Sequence, residues 1–155
     1  MTRRTAIDGA ARRRLYLFRH GAVDYINPDG SWVDDPDGVA LNERGCDQVA
    51  AMAELFRDVH VDMALCSPLP RTRQTGVAIL GDRNVDLSVV EDLSEIRPMT
   101  GEAAGGYDIV SDVAFSHWRA HQADATFLGG ERYHDFYARV SAAMEAILAD
   151  QTLSL

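Results

Sequence analysis

Three short apolar runs, 14–18, 61–66 and 85–93, are separated from one another by stretches with helical periodicity. That alternation is the tightest constraint on the fold. A strand, a crossover helix and a further strand return in the same direction, so the pattern predicts an α/β domain. The expected architecture is a mostly parallel sheet covered on both faces, a three-layer αβα sandwich.

The helices between the runs carry their own punctuation. Asn42 is a good N-cap for a helix over 43–58, whose apolar positions Val49, Met52, Ala53, Leu55 and Phe56 fall on one face. Pro68 and Pro70 open a helix over 71–80, closed by Gly81. A helix is expected near 110–120. The clearest follows: Tyr133, Phe136, Tyr137, Val140, Met144, Ile147 and Leu148 repeat at helical spacing. Residues 24–40, rich in Pro, Gly and Asp, read as a long loop, and loops of that length are usually functional or mobile. Residues 1–13 read as a flexible basic tail, leaving 14–155 as a single domain.

Composition excludes several classes. With 15 basic against 24 acidic residues, the net charge of −9 argues against nucleic-acid binding over a broad basic face. Every basic residue among the 15 is arginine. A few guanidinium groups gathered in one pocket still suit a single phosphate on an otherwise acidic surface. No apolar run approaches the ~20 residues that span a bilayer. The run 15–18 is too short for a signal-peptide core, so the expected location is the cytoplasm. Cys46 and Cys66 lack a metal-ligand spacing and read as free buried thiols.

Chemistry concentrates where the runs end. Arg19-His20-Gly21 follows the first, Ser67-Pro68-Leu69-Pro70-Arg71-Thr72-Arg73-Gln74-Thr75 the second, and Leu93-Ser94-Glu95-Ile96-Arg97 the third. Open α/β sheets bind ligands at the carboxyl ends of their strands, and a helix N-terminus suits a phosphate. Each residue also has a plain structural role open to it. A single histidine after a strand is often structural, Arg71 can cap its helix, and Glu95, Arg73 and Arg97 can be solvated surface groups. His117 and His121 have a shared-face spacing but no third metal ligand, so they read as ordinary helix residues.

The ordered set Arg-His-Gly, Leu-Asn-Glu-Arg-Gly, Ser-Pro-x-x-Arg-Thr-x-Gln-Thr, Leu-x-Glu and Gly-Gly-Glu-x-x-x-x-Phe-x-x-Arg-Val resembles the histidine phosphatase superfamily. This phosphoglycerate mutase-like resemblance runs from about residue 14 to the end. It implies that His20 is the nucleophile and that Arg19 and Arg71 hold the phosphoryl oxygens. Glu95 corresponds to the acid that protonates the leaving oxygen. It implies no metal and no cofactor, and a small phosphorylated substrate or inorganic phosphate as ligand. The family's Glu-Thr-x-x-Asn after the Arg-His-Gly is replaced by Ala22-Val23-Asp24-Tyr25-Ile26, with Asn27 one place late as a phosphate-loop candidate. The expected activity is phosphomonoester hydrolysis through a phosphohistidine. The alternatives are a catalytically weak phosphate-binding or interaction module and a mutase-type phosphoryl transferase.

In that family the last helix leads to another strand ending in a second His-Gly, and no second His-Gly occurs here. The fold is therefore expected to be incomplete at its C-terminal side, with reduced activity. The open slot is expected to be filled by a partner chain such as a homodimer, a swapped element or a local distortion, unless the sequence is part of a longer protein.

Overall fold

A computed structural model describes residues 14–99, 109–122 and 124–149. The expected basic tail, most of the glycine-rich loop 98–108 and residues 150–155 lie outside them. Helix α1 spans Glu43–Phe56, strand β1 Ala64–Cys66, helix α2 Pro70–Leu80 and strand β2 Leu87–Val89. A short 3-10 helix, Glu91–Leu93, precedes α3 (Ile109–Trp118) and α4 (Tyr133–Ala149).

The strands β1 and β2 pair in parallel, with Ala64 opposite Leu87 and Cys66 opposite Val89. The intervening α2 is the right kind of connection for such a pair. The α/β class with parallel pairing is thus present. The first run departs from expectation. Residues 14–18 form no strand, and Leu15, Tyr16, Leu17 and Phe18 are all exposed, Leu17 at 79%. Alternate side chains of the run still share a contact: Tyr16 and Phe18 meet the Phe56 ring edge-on at 4.9 and 5.1 Å. Aromatic anchoring on α1 holds the run where a sheet ladder does not.

The core is small: Val49, Phe56 and Ile79, with Leu41, Val59 and Val61 packed against them. The buried stripe of α1 is narrower than its apolar composition suggested, because Gly45, Val49 and Phe56 are buried while Leu55 and Met52 stay exposed. In α4, Tyr137 and Leu148 are likewise exposed. Asn42 caps α1 as its side chain accepts from Gly45 N at 2.8 Å. Pro70 occupies the first turn of α2, where its missing N–H costs nothing.

Arg83 joins the two helices at their far ends. One nitrogen donates to the carbonyls of Ile79 and Leu80, and the other to those of Phe56 and Arg57. A cation at two helix C-termini satisfies carbonyls that have no intrahelical partner and opposes both dipoles.

Candidate functional site

The Arg19-His20-Gly21 turn is docked onto the beginnings of both α1 and α2. Gly21 N donates to Thr75 Oγ1 at 3.3 Å, and Thr75 Oγ1 donates to the Arg71 carbonyl at 2.8 Å. Ala22 N donates to Gln48 Oε1 at 2.9 Å, and Asn42 N to the Ala22 carbonyl at 3.0 Å. Gln74 accepts from Leu41 N at 2.8 Å. The Gln-Thr pair on α2 therefore anchors two segments far away in sequence.

The contact requires glycine on both sides. A Cβ on Gly21 would stand 2.5 Å from the Gly45 carbonyl oxygen, and one on Gly45 would overlap the Ala22 backbone. Two backbones meet here without side chains between them.

His20 is half-buried, and its Nδ1 lies 2.7 Å from the Gly21 carbonyl oxygen. A carbonyl can only accept, so in the neutral ring this contact favours the tautomer with the proton on Nδ1 and the lone pair on Nε2.

Arg71 is 3% exposed. Its Nη1 donates to the Pro36 carbonyl at 2.9 Å and its Nη2 to Glu95 Oε2 at 3.3 Å. Its Nε is buried without a hydrogen-bond partner among the described residues, a costly state for a charged donor. The guanidinium also lies 5.6 Å from the centre of the Tyr25 ring, which stacks on Trp32 at 5.3 Å. Burial pushes the Tyr25 phenol up, and Arg71, Glu95, Arg19 and Asp37 all act on it electrostatically. Tyr25 thus marks the place where segments near 19, 37, 71 and 95 come together.

Sequence reasoning placed Tyr25 in the variable loop but gave it no position at the site. The only local sign was an aromatic residue in a polar loop.

Asn27 is used differently from the expectation. Its Nδ2 donates to Ser31 Oγ at 3.0 Å and to the Trp32 carbonyl at 3.3 Å, inside a turn closed by the Ile26–Trp32 bridge. The amide shapes its own loop, where the acceptors of Ser31 and Trp32 lie within its reach. Asp24, by contrast, accepts from Asn42 Nδ2 at 2.8 Å and ties the loop to the α1 cap.

A cavity of about 220 Å³ is lined by Asp37, Pro68, Leu69, Glu91, Ser94, Glu95 and Arg97. Glu95 borders it, whereas His20, Arg19 and Arg71 do not. Glu95, Arg97 and Arg73 are all exposed.

Of the two histidines expected on one helix, His117 lies in α3 and its Nδ1 meets Tyr133 OH at 2.9 Å. His121 instead falls in the turn after α3, where its Nδ1 donates to the Trp118 carbonyl at 3.1 Å. Cys66 is buried, which pushes its thiol up, but Cys46 is exposed, against the expectation for that thiol. Position 46 lies beside the buried Gly45 on α1, off the packed stripe. No helix among the described residues is long and apolar enough to cross a membrane.

The chain belongs to the histidine phosphatase superfamily, branch 1, whose family model matches residues 15–153. Among curated relatives, Phosphoserine phosphatase 1 of Hydrogenobacter thermophilus is 28% identical over 138 residues. The match covers 86% of this chain but 64% of that protein, so the chain spans less than two thirds of the relative's length. Among solved structures, a mycobacterial glucosyl-3-phosphoglycerate phosphatase complexed with VO3 superposes with a TM-score of 0.64 at 25% identity. That match covers 85% of this chain and 65% of the other. The alpha-ribazole phosphatase of Shigella flexneri shares the fold, with a TM-score of 0.64 at 24% identity, covering 87% and 67% of the two chains.

Proposed function

We propose that this chain carries the phosphoryl-transfer site of a phosphomonoester hydrolase. His20 Nε2 attacks phosphorus, the ester P–O bond breaks as the N–P bond forms, and Glu95 gives its proton to the departing oxygen. Water then attacks the phosphohistidine, Glu95 takes a proton from that water, and inorganic phosphate leaves with His20 restored. Arg19 and Arg71 hold the phosphoryl oxygens and offset the charge spread over them in the transition state.

The observation that carries this reading is the His20 Nδ1 contact to the Gly21 carbonyl at 2.7 Å, which in the neutral ring makes the Nε2 lone pair the nucleophile. Arg71 supports it. A guanidinium so deeply buried, with one nitrogen unpartnered among the described residues, is a strong anion receptor. In the free site Glu95 occupies one arm of that fork, and an incoming phosphoryl group replaces it. The names of the relatives share one substrate class, phosphomonoesters, and differ in the leaving group.

A second reading, a phosphate-binding module with weak turnover, is favoured by one observation: both Arg71 arms are already engaged, by Pro36 and Glu95.

The test is hydrolysis of an aryl phosphate by the chain and by His20→Ala, with a search for acid-labile, base-stable phosphate on the protein. Turnover and labelling lost in the variant are expected. Equal turnover in both proteins removes His20 from the mechanism, and phosphate binding without turnover selects the module.

A further inference from the structure

Glu95 presents a difficulty for its proposed duty as acid. Its side chain is 61% exposed, and its hydrogen-bond partner among the described residues is Arg71, the group that phosphate would claim. Proton transfer needs a donor held within reach of the leaving oxygen. Little at the tip of the side chain supplies that restraint, so the backbone must.

The backbone is held from α4. All five N–H groups of Arg139 are used. Nε and Nη2 donate to Glu131 Oε1 and Oε2 at 2.7 and 2.9 Å. Nη1 donates to the carbonyls of Asp92 and Ser94 at 2.8 and 2.9 Å, and Nη2 also to that of Glu95 at 3.1 Å. The far side of the segment is fixed by the same carboxylate, because Glu131 Oε2 accepts from Arg97 N at 3.1 Å while Glu131 N donates to the Arg97 carbonyl at 2.8 Å. The approach is close enough that a Cβ on Gly130 would overlap the Arg97 carbonyl. The Phe136 ring lies 5.0 Å from the guanidinium.

We infer that Arg139, locked by Glu131, is the positioning residue for Glu95: it fixes the peptides on either side of the acid and thereby aims the carboxyl at the leaving group. The inference rests on the hydrolase reading above. Arginine is required because lysine has three donors on one centre and cannot span a carboxylate and three carbonyls.

The experiment compares two esters. p-Nitrophenyl phosphate releases a stable phenolate without protonation, whereas glycerol 2-phosphate releases an alkoxide that needs the acid's proton. The ratio kcat/KM reports the first phosphoryl transfer and not the dephosphorylation shared by both esters. In Arg139→Gln and Arg139→Lys it is expected to fall by at least ~10-fold for glycerol 2-phosphate and by no more than ~3-fold for p-nitrophenyl phosphate. Added to Glu95→Gln, the Arg139→Gln change should have almost no further effect.

Equal losses on both esters, an unchanged rate with glycerol 2-phosphate, or additive losses in the double variant would overturn the inference while leaving the hydrolase reading in place. If Arg139→Gln does not melt cooperatively, Arg139→Lys, which can still pair with Glu131, decides by the same ratio of rates. A wild-type chain that hydrolyses neither ester overturns the hydrolase reading, and the role of Arg139 with it.

Discussion

Arg71 and Glu95 form an ion pair of unequal partners: at 3.3 Å, a guanidinium that is 3% exposed faces a carboxylate that is 61% exposed. Water screens the carboxylate end, so the pair contributes at most about 1 kcal/mol. The buried charge remains available to any better acceptor. Glu95→Gln is therefore expected to tighten inorganic phosphate binding by up to about 5-fold, read by titration calorimetry. Weaker binding in the variant would mean that the carboxylate is not competing for Arg71.

The contact between Gly21 and Gly45 allows no added methyl. Gly45→Ala must push the Ala22 backbone away from α1, at a cost of about 1–3 kcal/mol or more. A lower melting temperature is expected, together with a greater loss of turnover than the stability change explains, because His20 is two residues from the displaced peptide. Wild-type melting and activity would show that the two backbones are not pressed together.

Arg83 closes the ends of α1 and α2 through four carbonyls. Arg83→Gln should lower stability by about 1–3 kcal/mol, seen as a lower urea midpoint with an unchanged slope. Turnover at temperatures where the variant is folded should be retained. A midpoint equal to wild type would refute the double cap.

Hydrogen bonds from Arg139 hold the Glu131 carboxyl below its usual range, against the opposing effect of burial. A carboxyl with a lowered folded pKa adds stability that is fully present above its unfolded value, about 4.3, and is lost as pH falls through the folded value. The difference in melting temperature between wild type and Glu131→Gln should therefore be greatest near neutrality and shrink on acidification below about pH 4.3. A difference independent of pH would contradict the pairing.

What could be read from sequence was local. The Asn42 cap, the Pro70 start and the Tyr133–Ala149 helix depend on residues a few positions apart, and the structure has them as expected. The ordered motifs identified the superfamily. The first apolar run was misread because a strand needs neighbours, and apolar character alone does not supply a ladder. Arg83 gave no sign of joining two helices because the carbonyls it reaches at the end of α1 lie 26 and 27 residues away. Arg139, although part of the last motif, gave no sign of its link to the Glu95 segment, 44 to 47 residues away. Asn27 was assigned by its nearness to a motif position, and its own turn offered it closer partners.

The loop between His20 and α1 is tied at its base, by Asp24 to the Asn42 side chain and by Leu41 to Gln74. Between those ties Tyr25 and Pro36 still meet Arg71, while segment 28–35 stands outside those two contacts. Lengthening a loop whose ends are already joined costs little, because closure entropy grows only with the logarithm of length. Segment 28–35 is accordingly a natural grafting position: a new recognition sequence inserted there changes what the entrance accepts while the imidazole behind it keeps its place.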